Sequence, residues 1–189
     1  MKRIFTLAAL MSFFGLTACG QAQKNDRVMD TEKDTKVLVV YFSATGTTKD
    51  VASTIAGLTG GTLHAIVPEK PYTDADLDWR DSASRSSREM NDPACRPPVR
   101  EAHIDMTPYD TVFIGFPVWW DVAPMVVNTF IEANDLKGKV IYPFATSGGS
   151  SIDGSVRDFR SRYPSLDWRG GRLLRRGDRR GVEAWLDSL

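Results

Sequence analysis

The chain has 189 residues, and its 24 lysines and arginines balance 24 aspartates and glutamates to a formal charge of zero. With no basic excess, nothing in the composition points to nucleic acid, and a charge-driven nucleic-acid binder is excluded. Two cysteines and two histidines, far apart in sequence, exclude a multi-disulfide framework and a Cys/His metal site.

Residues 1–18 begin with Lys2 and Arg3 and continue through an apolar stretch from Ile4 to Leu16, which by charge and length is a secretory signal. The stretch is shorter than the roughly 20 residues a spanning helix needs. Leu16-Thr17-Ala18-Cys19-Gly20 resembles the lipobox of bacterial lipoproteins. That resemblance implies cleavage before Cys19 and lipid on its thiol and amine. It also implies an exported protein, lipid-anchored on the periplasmic or cell-surface side of a bacterial membrane. A plain signal peptide with an incidental cysteine, or a short membrane anchor, is the alternative. Residues 19–35 then comprise the lipidated cysteine and a polar, charged tether without apolar period. Residues 36–189 make one domain of ordinary length. With Cys19 taken by lipid, Cys95 stands alone in Pro93-Ala94-Cys95-Arg96-Pro97-Pro98, where a partly buried loop thiol is expected rather than a nucleophile.

Within the domain, Val37-Leu38-Val39-Val40-Tyr41-Phe42 is an unbroken apolar run, which suits a strand buried on both faces of a parallel sheet. It stops at Ser43-Ala44-Thr45-Gly46-Thr47-Thr48, a hydroxyl-rich turn leading into a helix with Val51, Ile55 and Leu58 on one side. Strand, Ser/Thr/Gly turn and helix N-terminus form an anion cradle, because free N–H groups, the positive helix end and several hydroxyls converge. After Gly60-Gly61, residues 62–67 partly alternate and predict an edge strand ended by Pro68 and Pro71. Residues 74–88 are charged and Ser-rich and predict a helix anchored by Leu77 and Trp79, on a long connection. Thr111-Val112-Phe113-Ile114-Gly115-Phe116 is the next buried strand. Pro117-Val118-Trp119-Trp120-Asp121-Val122-Ala123 follows as a loop, and Pro124 fits the first turn of a helix whose apolar side is Val127, Phe130 and Ile131. In the strand Val140-Ile141-Tyr142-Pro143-Phe144, Pro143 donates no ladder hydrogen bond and is expected to mark a bulge. Thr146-Ser147-Gly148-Gly149-Ser150-Ser151 is a second small polar turn, followed by a helix bearing Ile152, Val156, Phe159 and Tyr163 that Pro164 stops. A short strand is expected over residues 168–174. Val182, Trp185, Leu186 and Leu189 fall on one face of a closing amphipathic helix.

This alternation of strands and helices predicts a parallel sheet with helices on both faces and right-handed connections. The polar turns after the first, third and fourth strands fall at carboxyl ends, where ligands of such sheets bind. The first turn has neither the G-x-G-x-x-G pattern nor a P-loop lysine, so a mononucleotide suits it better than a dinucleotide or a nucleoside triphosphate.

Taken together and in this order, the three turns resemble the flavodoxin family, specifically its members with a Trp-Trp loop after the third strand. The resemblance implies a five-stranded parallel sheet in the order 2-1-3-4-5 and noncovalent FMN. Ser43, Ala44, Thr45, Gly46, Thr47 and Thr48 are similar to the family's phosphate loop. Pro117, Val118, Trp119 and Trp120 resemble the loop packed on the isoalloxazine ring, and Thr146, Ser147, Gly148 and Gly149 the loop closing the other side. Adjacent loop side chains rarely share a direction, so one tryptophan of the pair is expected to stack. Asp121 stands where the family often has glycine and is expected to cap the following helix rather than face the ring. No side chain is obliged to act as acid, base or nucleophile, and His64 and His103 are expected to be structural or solvated. Arg169, Arg172, Arg175, Arg176, Arg179 and Arg180 form a late basic cluster. It is expected to be a solvated face, with an acidic partner, lipid headgroups or an NADPH phosphate as alternatives. Three functions stay open at this point. They are electron transfer with a redox partner protein, FMN-dependent NAD(P)H:quinone reduction, and a flavin-free binding module at the cell surface.

Overall fold

The computed structural model describes residues 36–189. The signal segment, the proposed lipid site at Cys19 and the tether lie outside them. The apolar run forms strand β1 (Val37–Tyr41), followed by helix α1 (Thr47–Thr59) and edge strand β2 (Thr62–Ala65). A short antiparallel pair, β3 (Val67–Pro68) and β4 (Val99–Arg100), closes the base of a long excursion that carries α2 (Arg85–Asn91). Then come β5 (Thr111–Pro117), α3 (Met125–Ala133), β6 (Val140–Thr146), α4 (Asp153–Arg162), β7 (Asp167–Trp168), β8 (Arg172–Leu173) and α5 (Arg179–Leu186). All main-sheet pairings are parallel, in the order β2-β1-β5-β6-β7, with β8 also on β6. This is the expected 2-1-3-4-5 sheet, with its fifth position split between two short strands.

Alternation along each strand sends side chains to two cores. Leu38, Val40, Val112, Ile114, Phe116 and Ile141 meet α3 and α4 on one face through Val127, Phe130, Val156 and Phe159. On the other face Val39, Phe113 and Phe144 meet α1 and α5 through Val51, Ile55, Val182 and Trp185. Burial on both faces is why the strands read as continuous apolar runs. Among the described residues, no helix is long and apolar enough to cross a membrane.

Three local expectations change. The predicted helix over residues 74–88 is instead a series of turns followed by the seven-residue α2. Asp76, Asp78 and Asp81 accept hydrogen bonds from the backbone N–H groups of Thr73, Arg80 and Ala83 at 2.9, 3.0 and 2.8 Å. These local bonds compete with helix formation. Asp121 does not cap α3, since the residue at that helix's N-cap is Pro124. Pro143 makes no bulge, because β5 and β6 pair residue for residue from Thr111↔Val140 to Pro117↔Thr146. The carbonyls of Ile141 and Ala145 accept from Arg169 and Leu174 N–H groups, both at 2.8 Å, so odd-numbered positions of β6 turn their main chain away from β5. Pro143 has the same parity, and its missing N–H falls opposite the break between β7 and β8, where no donor is needed.

Candidate functional site

The turns leaving β1, β5 and β6 border one cleft of about 570 Å³ at the carboxyl edge of the sheet. Ser43, Ala44, Thr45, Thr47 and Thr48 line it from the first turn, Pro117, Val118 and Trp119 from the second, and Thr146, Ser147 and Gly148 from the third. Gly46 sits within the first turn without forming wall. Gly149 lies beyond the wall as well. Trp120 faces an adjoining hollow of about 400 Å³ that shares Leu77, Val118 and Trp119 with the cleft and adds Trp79 and Ser86.

The first turn is shaped by Gly46, whose φ of +89° only glycine adopts without strain. Its N–H donates to Ser43 Oγ at 3.1 Å, which folds the turn back on itself. The first intrahelical bond of α1 runs from Asp50 N–H to the Gly46 carbonyl at 3.2 Å, and no side chain caps this end. The N–H groups of Thr47, Thr48 and Lys49 therefore have no acceptor within the helix, and the positive end of the helix dipole lies at the cleft. Thr48 and Thr146 are buried, and their hydroxyls bond to each other at 2.8 Å, which fastens the first turn to the third. Thr48 therefore braces the cradle rather than offering a free hydroxyl.

The second turn is a tight reversal. Trp119 and Val122 exchange backbone hydrogen bonds of 2.9 and 3.0 Å around Trp120 and Asp121, whose φ values are +46° and +66°. Positive φ at both central positions defines a type I′ turn, ordinarily built from Asn and Gly. Tryptophan and aspartate there store strain, commonly of order 1–3 kcal/mol per residue. Neighbouring contacts hold the shape: Val118 N–H donates to the Thr146 carbonyl at 2.9 Å, and Gly154 lies so close that a Cβ there would sit 2.2 Å from the Asp121 carbonyl oxygen. The two tryptophans part company. Trp119 packs edge-on against Phe42 and Tyr72, with centroids 5.6 and 5.4 Å away, while Trp120 is 46% exposed.

Tyr72 ties the excursion to this aromatic group. Its hydroxyl donates to Glu89, and the Arg85 guanidinium lies 4.0 Å above its ring while also pairing with Glu89. Burial, then the bond to Glu89, pushes the phenol far above its ordinary range, so it stays protonated at any working pH. In the third turn, Ser147 Oγ accepts from the N–H groups of Gly149 and Ser150 at 3.1 and 2.8 Å, which commits that hydroxyl to the turn.

Six wall residues of the cleft and hollow were not read from sequence as site residues: Leu77, Trp79, Ser86, Leu174, Arg175 and Arg176. Trp79, expected as a helix anchor, is 67% exposed. The arginine cluster was visible in sequence, but only the fold puts two of its members at the cleft. His64 lies beside Phe130 with ring centroids 5.6 Å apart, where burial lowers its pKa, and a His103 ring nitrogen bonds the Ala133 carbonyl at 3.0 Å. Cys95 is half-buried, and burial followed by the Glu89 and Asp92 carboxylates pushes its thiol up, away from nucleophile chemistry. Among the described residues no His, Cys, Asp and Glu side chains gather into a metal-holding group.

A family model described as flavodoxin matches residues 36–189. The chain is similar to a flavoprotein from Bacteroides eggerthii DSM 20697, at 54% identity over 81% of this chain and 96% of that one, with a TM-score of 0.78. It is also similar to one from Bacteroides uniformis ATCC 8492, at 48% identity over 81% and 98%, with a TM-score of 0.79. A flavoprotein from Lactobacillus acidophilus NCFM, solved in complex with FMN, shares the fold at 23% identity, covering 80% of this chain and 99% of that one with a TM-score of 0.64. No curated protein shows significant similarity. Because the family match spans every described residue and two solved flavoproteins share about half of the aligned sequence, the chain belongs to the flavodoxin family.

Proposed function

We propose that this chain binds FMN noncovalently in the cleft and serves in electron transfer. The observation that carries the reading is the uncapped start of α1 behind left-handed Gly46, where a Cβ would have no atom within 4 Å apart from the glycine and its chain neighbours. An exposed phosphate dianion suits such a set of amide donors. The neighbouring wall is apolar and aromatic, as a flat ring system requires. A volume of about 570 Å³ is within the usual range for small-molecule sites, roughly 300–1,000 Å³.

FMN supplies the redox chemistry when bound; the protein binds and orients it. Thr47, Thr48 and Lys49 amides would hold the phosphate. The Thr48–Thr146 bond keeps the first and third turns at fixed separation. Val118 and Trp119 would support the ring, with Trp120 beside it. The cleft wall contains no carboxylate, histidine or cysteine, so its side chains position a ligand rather than move protons. This favours a carrier that exchanges electrons with a redox partner protein. We further propose that Cys19 and the tether hold the domain at a bacterial membrane surface.

The test is titration of the protein with FMN at micromolar concentration, followed by the visible flavin absorbance and fluorescence. Saturable binding is the expected result, and colourless protein that ignores added FMN would refute the reading. Steady NAD(P)H oxidation with a quinone and no second protein would redirect it to a reductase.

Gly154 gives a test of the second turn. Alanine is the better helix former by about 1 kcal/mol, so propensity alone favours Gly154→Ala. Its Cβ, however, would meet a backbone oxygen at 2.2 Å, which cannot swing aside as a flexible side chain can. The contact wins, the Trp119–Val122 turn is displaced, and FMN affinity is expected to fall about tenfold, some 1.4 kcal/mol. Unchanged affinity by titration would mean the turn's position is irrelevant to binding.

A further inference from the structure

The cleft wall carries two charged side chains, Arg175 and Arg176, and both come from the segment between β8 and α5 rather than from the three turns. Their position is fixed at both ends. Leu174 is buried and its N–H donates to the Ala145 carbonyl at 2.8 Å, so the chain leaves the sheet beside β6 at the same carboxyl edge. Four residues on, Asp178 caps α5 by accepting from Gly181 N–H at 2.9 Å, and its own N–H returns to the Arg175 carbonyl at 3.2 Å. Between these anchors the chain reverses at Gly177, whose φ is +76°. The two arginines thus stand on a short, tied turn.

Arg176 pairs with Asp50, which lies in the first turn of α1. Its guanidinium therefore sits beside the amides that make the anion cradle. Arg175 has no carboxylate partner among the described residues, although Arg169 and Arg179 in the same cluster pair with Asp167 and Glu183. The Asp50 carboxylate opposes an incoming anion, and Arg176 offsets it. Arg175 is left as net positive charge on an otherwise neutral wall.

We infer that Arg175 and Arg176 form a cationic clamp that makes this site select a phosphorylated flavin over the unphosphorylated one. The inference rests on the FMN reading. A phosphate monoester carries close to two negative charges at neutral pH, and guanidinium groups match its oxygens with charge-assisted hydrogen bonds. Riboflavin has the same ring and ribityl chain without the phosphate, so it reports on the cleft alone.

The experiment compares FMN and riboflavin affinity, by fluorescence titration at low and high salt, for the full chain and for Arg175→Ala, Arg176→Ala and Arg175→Lys. Each alanine variant is expected to bind FMN about three- to fivefold more weakly, as solvent screening at an exposed position allows. Riboflavin affinity should stay at the parent value, which also shows that the fold is intact. The FMN preference of the parent should shrink with salt, and Arg175→Lys should keep most of it. Equal losses for both flavins, or FMN binding unmoved in both alanine variants, would overturn the clamp while leaving FMN as the ligand. A parent chain that binds neither flavin would overturn both readings together.

Discussion

Gly46→Val is expected to abolish FMN binding while leaving the domain folded. The turn needs a φ of +89°, and a β-branched residue there is a steric outlier. Either the valine accepts that conformation at a cost of about 1–2 kcal/mol or more, or the turn refolds. Refolding breaks the Gly46 N–H bond to Ser43 and re-aims the amides of Thr47 and Thr48. The phosphate then loses its donors together, because they act as one preorganised set. A domain with the usual 5–15 kcal/mol of stability tolerates the strain itself. Titration with FMN, beside far-UV circular dichroism of the same sample, separates the two effects. Parent-like affinity in a folded variant would place the phosphate somewhere else.

Gly115→Val is expected to destabilise the domain strongly through overpacking. Gly115 lies in β5, the middle strand, paired to Tyr41 on one side and Phe144 on the other. The Phe144 ring lies over it, so that a Cβ would stand 2.1, 2.4 and 2.7 Å from three ring atoms. Phe144 is fully buried and neighbours Trp185, with centroids 6.5 Å apart, so its ring has nowhere to retreat. Overpacking of this kind costs about 3 kcal/mol, at the upper end of its usual range. Phe144→Ala alone should cost about 3–5 kcal/mol through the cavity it leaves. The double variant should lose clearly less than the two together, since the valine fills space the ring vacates. Urea unfolding of the three variants measures the coupling, and strictly additive losses would contradict it.

Strands β1, β5 and β6 were legible because burial on both faces writes itself as near-continuous apolar runs. The helices were legible where one face repeats, as at Ile152, Val156 and Phe159. What misled was local competition. Leu77 and Trp79 suggested a helix over residues 74–88, yet the aspartates of this segment satisfy nearby amides and hold turns instead. Asp121 looked like a cap because it precedes a helix, but the left-handed reversal at Trp120 and Asp121 is imposed by packing against Gly154, a contact between residues 33 positions apart in sequence. The site was legible only as three turns. Leu77, Trp79, Arg175 and Arg176 reach it through the excursion and the loop between β8 and α5. No periodicity encodes where such segments come to rest.

The divided fifth position of the sheet has a bearing on solubility. A long, flat outer strand invites a foreign chain to add another rung, and edge-to-edge stacking is a route to fibrils. Here that border consists of two dipeptide strands, β7 and β8, interrupted by residues 169–171, with proline opposite the interruption. The opposite border, β2, is four residues long. At high local density the domain would thus offer its neighbours no long ladder to copy.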